Sequence, residues 1–139
     1  MVNIETIRQK VHLIEENLSK LESLKSMLFE QFVGDYRNIE ASKHLLQVSI
    51  EAMIDVANHI VARNRWGIPA KSADSFRILR EHKYFTEQEE ELFATMVKFR
   101  NRVVHLYHRI DHDELYRILQ ENLGDFKIYI KAIIMNSFK

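Results

Sequence analysis

Between Leu92 and Ile110 the chain carries no acidic residue, while Lys98, Arg100, Arg102 and Arg109 stand there together with His105 and His108. A guanidinium grips phosphate through parallel hydrogen bonds, and an imidazole moves protons near neutral pH. The pairing therefore suits chemistry on a phosphate ester. Glu87, Glu89, Glu90 and Glu91 precede this stretch. Acids at the start of a helix and bases towards its end complement the macrodipole, and that alone accounts for Lys98, Arg102 and Arg109. It does not account for Arg100. At roughly 100° per residue, Leu92, Phe93, Met96, Val97, Val103, Val104 and Tyr107 share one helical face, and Arg100 falls near its middle. A guanidinium inside an apolar stripe is expensive unless it is paired or set over a cleft. Two roles stay open for it: an ion pair with Glu51 or Asp55 of an earlier helix, or an anion site.

Asn101, His105 and His108 project together along the edge of the same stripe. A histidine beside a fixed arginine fits phosphodiester cleavage in RNA. The imidazole acts on the 2′-hydroxyl proton or the leaving oxygen, and the arginine neutralises charge developing on phosphorus. A purely structural histidine at a helix edge is the alternative. His105, His108 and His112 would also share a face if the helix ran on, and three imidazoles can hold zinc. Asp111-His112-Asp113 reads instead as the start of a new helix, which separates His112 from the others, so neither a metal nor a cofactor is expected. The chain has no cysteine, which excludes thiolate ligands, cysteine nucleophiles and disulfides. It also lacks a glycine-rich phosphate loop, Gly-x-Ser-x-Gly and His-Glu-x-x-His. Tyr107 lies two helical turns beyond Arg100, so a continuous helix would bring its ring out on the guanidinium's face.

The elements that must position these groups are helical. Three glycines and one proline in 139 residues are too few for many short strands. Ile4, Ile7, Val11, Ile14, Leu18, Leu21, Leu28 and Phe32 form a 3-4-3-4 seam broken only by Lys25, predicting one long helix ended by Gly34. A second helix is expected from about Asp35 to Asn64, apolar on two faces, with Asp55 and His59 placed to satisfy each other or a polar network. Trp66-Gly67-Ile68-Pro69 breaks it. A short helix around Ser72 to Glu81 follows. Thr86 and Glu89 then read as a capping box opening the helix of interest, expected to reach about Tyr107. A last helix runs from about Asp113 to Asn136 across Gly124. The expectation is one all-α domain over residues 1–139, an up-and-down bundle of four long helices and one short one. The composition, 46% hydrophobic and 29% charged, supports a buried core, and twenty basic residues balance twenty acidic ones, so any polyanion must be met by a local patch. No apolar run approaches the roughly 18 residues of a membrane span, and the N-terminus lacks a signal peptide's apolar region. A cytoplasmic protein without a membrane partner is expected.

Arg100-Asn101-Arg102-Val103-Val104-His105-Leu106-Tyr107 resembles the Arg-Asn-x-x-x-His-x-Tyr signature of HEPN-domain proteins, specifically the HepT-like branch. Phe99 before the arginine strengthens the likeness. Ile54-Asp55-Val56-Ala57-Asn58-His59-Ile60, Phe76-x-x-Leu79 and Arg109-Ile110-Asp111 extend it over most of the chain from about Asp35. Leu106 is bulkier than the small residue expected between the histidine and the tyrosine. The resemblance implies a helical homodimer with two motif helices facing across a cleft. It further implies a ribonuclease toxin of a type VII-like toxin–antitoxin system, whose antitoxin is a cognate minimal nucleotidyltransferase (MntA-like) that silences the toxin by AMPylation. By position, Arg100 and His105 correspond to the catalytic pair, Asn101 to a supporting residue and Tyr107 to the modified tyrosine, with Arg102 and His108 as substrate contacts to RNA. A catalytically weak nucleotide- or RNA-binding partner of a nucleotidyltransferase is the alternative, because it would want the same cationic cleft.

Overall fold

The computed structural model describes residues 2–138, and helices are the regular elements throughout them. Helix α1 spans Ile4–Lys25, and its Asn3 cap accepts from the Glu5 and Thr6 amides. Ile7, Val11, Ile14, Leu18 and Leu21 are buried along one side. The expected continuous seam stops there. Lys25 and Leu28 are exposed, and Ser26 Oγ donates to the Ser23 carbonyl at 2.7 Å, a local bond that competes with the helical ladder. A separate five-residue helix, α2 (Phe29–Val33), then turns Phe32 into the core. Gly34 caps α2 rather than the long helix.

Helix α3 (Tyr36–Asn64) is the central element, capped by Asp35 and packed against α1, α2, α4 (Ser72–Glu81), α5 (Glu87–His105) and α6 (His112–Glu121). Contact on several sides explains its two apolar faces. By length and composition α3 is apolar enough to cross a bilayer, contrary to the expectation that no run approaches that length; 56% of that stretch is buried inside the fold. Asp55 and His59 do not pair with each other. Asp55 accepts from Lys10 Nζ at 3.1 Å, and His59 Nε2 accepts the Asn3 backbone N–H at 2.9 Å, so both tie α3 to α1.

The Thr86/Glu89 capping box forms as expected, with bonds of 3.1 and 2.9 Å. Beneath it, Phe85, Phe93 and Tyr129 pack edge to face or tilted, with Phe85–Phe93 and Phe93–Tyr129 centroids 4.8 and 5.1 Å apart. The buried Tyr129 hydroxyl donates to the Met53 carbonyl at 2.7 Å. The expected last helix is two: α6, and α7 (Gly124–Ser137), divided at Asn122 and Leu123. The all-α bundle therefore stands, with its first and last long helices each broken once.

Candidate functional site

Helix α5 presents Arg100 to α3. Arg100 Nε and Nη2 donate to Glu51 Oε2 at 3.1 and 2.8 Å, and Nη1 donates to Asn101 Oδ1 at 3.0 Å. Of the two carboxylates considered from sequence, Glu51 is the partner and Asp55 is not. The pair is only partly buried, with about a quarter of the arginine side chain and a third of the glutamate exposed. A guanidinium has five N–H groups. Three are used by Glu51 and Asn101, which fixes the plane of the group and leaves two donors for an incoming anion.

His105 is the last residue of α5 and is exposed. Helix geometry puts it five residues, about 7.5 Å along the axis, beyond Arg100. Its imidazole makes no side-chain hydrogen bond among the described residues, so either nitrogen can meet a substrate. Val104 and Leu106 beside it are exposed by 41% and 43%.

Tyr107 departs from expectation in placement. Leu106 leaves helical geometry at φ −132° and ψ 41°, and Tyr107–Arg109 form a separate 3-10 turn. The tyrosine therefore reaches α3 from a turn and not from two turns along the same helix. Its hydroxyl donates to Glu40 Oε2. The Lys43 ammonium sits 4.3 Å from the ring centroid and donates to the Tyr107 carbonyl oxygen at 2.9 Å. Burial, and then the Glu40 carboxylate, push the phenol up to about 12. His108 packs edge-on against the Tyr107 ring at 5.6 Å and is exposed.

Arg102 points away from this group. Its Nη1 and Nη2 bond the two oxygens of Glu114 on α6 at 3.0 and 2.5 Å. Arg102 and Glu114 help line a cavity of about 410 Å³, whose apolar wall includes Leu46, Ile50, Phe99 and Phe126. His105, His108 and His112 fall at the end of α5, in the turn and at the start of α6. Among the described residues no three metal-ligating side chains are gathered.

On α3, Glu51 was expected from sequence as a partner of Arg100, whereas Glu40, Lys43 and Gln47 were not. Glu40, Lys43, Gln47 and Glu51 recur at 3-4-4 spacing, a polar stripe along one side of α3. Glu40 and Lys43 hold Tyr107; Gln47 donates to Glu51 Oε2 at 3.2 Å, and Glu51 holds Arg100. That stripe is the signal that could have found them.

A family model described as ribonuclease HepT-like matches residues 14–133. An mRNA nuclease HepT of Shewanella oneidensis is 35% identical over 103 residues, which are 74% of this chain and 77% of that protein. A tRNA nuclease HepT of Aphanizomenon flos-aquae is 24% identical over 135 residues, 96% of this chain and 92% of that one. The solved structure of a tri-AMPylated Shewanella oneidensis HEPN toxin in complex with an MNT antitoxin superposes with a TM-score of 0.87 at 30% identity, covering 94% of this chain and 98% of that one. With an arginine and a histidine on α5, a tyrosine in the turn that follows it, and the family's pattern running from the first helix into the last, this chain belongs to the HepT-like ribonuclease family.

Proposed function

We propose that this chain is the ribonuclease toxin of a toxin–antitoxin pair, acting in the cytoplasm as a metal-independent endoribonuclease. The observation that carries the reading is the oriented Arg100 guanidinium, with two N–H groups to spare, on the same helix as the exposed His105. Arg100 binds the scissile phosphate. His105 takes the 2′-hydroxyl proton, or protonates the leaving oxygen, and the 2′ oxygen displaces the 5′ oxygen of the next nucleotide. Asn101 supports Arg100 through its side-chain oxygen. Arg102 and His108 meet the RNA backbone on either side, Arg102 exchanging Glu114 for a phosphate.

The working form is a homodimer. One Arg100/His105 pair is a small site for a polyanion, whereas two α5 helices apposed about a twofold axis form a groove and double its charge. The exposed Val104 and Leu106 flank the motif where a second copy would cover them. A minimal nucleotidyltransferase antitoxin silences the toxin by placing AMP on Tyr107, which blocks the groove and brings negative charge to the arginine. Expression of the chain alone, with and without His105→Ala, tests the nuclease. Growth arrest and RNA breakdown are expected only from the unsubstituted chain; equal RNA stability in the two cultures would leave a binding partner without cleavage.

A further inference from the structure

A tyrosine that accepts a nucleotidyl group must lose its proton as the new bond forms. Tyr107 is badly placed to do so unaided, because burial and a neighbouring carboxylate hold its phenol far above neutral pH. The same carboxylate supplies what is missing. Glu40 Oε2 accepts the hydroxyl proton's hydrogen bond, and Glu40 is itself exposed, so a proton arriving there passes on to water. Lys43 pins the residue from the opposite direction. It is 4% exposed, bonds the Tyr107 carbonyl at 2.9 Å and lies 4.3 Å from the ring centroid, so it holds both the backbone and the ring of the tyrosine while Glu40 holds the hydroxyl.

We propose that Glu40 is the proton acceptor for nucleotidyl transfer onto Tyr107, and that Lys43 holds the tyrosine ring and backbone in place for that step. The inference rests on the reading of Tyr107 as the modified residue. In the step, Tyr107 Oη attacks the α-phosphorus of a nucleoside triphosphate. The Oη–P bond forms, the bond from phosphorus to the pyrophosphate oxygen breaks, and the phenolic proton moves to the Glu40 carboxylate. Pyrophosphate leaves, and nothing is oxidised or reduced. Once the oxygen is esterified it has no proton to donate, so the product loses its bond to Glu40, and the repulsion between that carboxylate and the new phosphate turns the ring outward.

AMP incorporation into the full chain tests this, followed by peptide mass spectrometry in the parent, Glu40→Gln, Glu40→Asp and Tyr107→Phe. Two donors are used: ATP with the Shewanella oneidensis MNT antitoxin, and adenosine 5′-phosphorimidazolide, an activated nucleotide that needs no enzyme. At about pH 7, Glu40→Gln is expected to label Tyr107 at least about tenfold more slowly than the parent, and Glu40→Asp to recover part of the rate. The deficit should shrink as the pH rises towards about 10, because hydroxide replaces the lost acceptor. The parental rate itself should stay flat from about pH 6 to 9, because Glu40 and not hydroxide takes the proton. Thermal melts confirm that each variant is folded. Labelling of Tyr107 in Glu40→Gln at the parental rate, or a parental rate that climbs tenfold per pH unit, overturns the role of Glu40 and leaves Tyr107 as the target. Absence of label on parental Tyr107 with both donors overturns both.

Discussion

Arg100 and Glu51 meet through a single oxygen: Nε and Nη2 of the guanidinium both converge on Glu51 Oε2, which also accepts from Gln47. An incoming phosphate has the two remaining N–H groups to bond, but it shares the guanidinium's charge with that carboxylate and is repelled by it. A partly exposed ion pair contributes up to about 1 kcal/mol, equivalent to roughly fivefold in an equilibrium constant. Glu51→Gln, built on a His105→Ala chain so that RNA survives, is therefore expected to bind RNA about two- to fivefold more tightly at fixed salt. Fluorescence anisotropy with a labelled single strand measures it. Unchanged or weaker binding would mean that Glu51 does not oppose the phosphate.

Cleavage by 2′-hydroxyl attack fixes the chemistry of its products. Activity should persist in excess chelator, and the upstream fragments should end in 2′,3′-cyclic phosphate. An all-DNA strand of the same sequence should remain intact, because it lacks the nucleophile. Product mass spectrometry and a chelator titration decide the matter. Loss of activity with chelator and recovery with zinc would overturn it.

His59 gives the fold a dependence on acid. Burial, and then the charge of Arg63, hold its imidazole below the ordinary value of 6.5. Its Nε2 accepts the Asn3 N–H, which needs an unprotonated nitrogen. A group whose folded value is depressed contributes stability that is fully present above its unfolded value and is lost as the pH falls through the folded one. The melting temperature should therefore be level above about pH 7 and decline below about pH 6.5, ahead of carboxylate titration. His59→Gln should lower the plateau and flatten that decline. An equal slope between about pH 6.5 and 5 in the variant would assign the acid sensitivity elsewhere.

Two glycines predict opposite outcomes for the same substitution. A Cβ on Gly34 would stand 2.8 Å from the Glu30 carbonyl oxygen, so backbone must move to admit it. A Cβ on Gly124 meets nothing within 4 Å, at the first position of α7. Gly34→Ala is expected to cost about 1–3 kcal/mol, by the strain of overpacking. Gly124→Ala should add about 0.4–1 kcal/mol by restricting the unfolded chain. Denaturant unfolding of both variants measures the contrast, and shifts of the same sign in both would refute it.

Residue pattern made the helix order, the Thr86/Glu89 box and the Arg100–Glu51 alternative legible, because each follows from local spacing. The helix ends were not. Leu28 belongs to the 3-4 seam by spacing, yet the chain turns at Ser26, where a side-chain bond replaces the ladder and lets Phe32 enter the core. Tyr107 continues the face of α5 by arithmetic, yet Leu106 leaves helical geometry first. The contact that holds the turn, from Lys43, joins residues 64 positions apart, and no local pattern can weigh it. Glu40 and Lys43 were visible as members of a polar stripe, but their purpose needed the turn they face. Asp55 and His59 look like partners at one helical turn, and tertiary packing gives each to α1 instead.

The Lys43 bond to residue 107 has a consequence for variation at that position. The acceptor is a main-chain carbonyl, which every amino acid supplies. An ammonium buried to 4% exposure is costly to leave without an acceptor, so the lysine anchors the turn whatever side chain stands there. Docking of the turn and identity of the tyrosine are thus separable. Position 107 can exchange its phenol for a phenyl, or carry a bulky adduct, while the loop after α5 keeps its path beside His105. Inheritance of the fold at this corner is written in α3, and the tyrosine is free to be inherited for its chemistry alone.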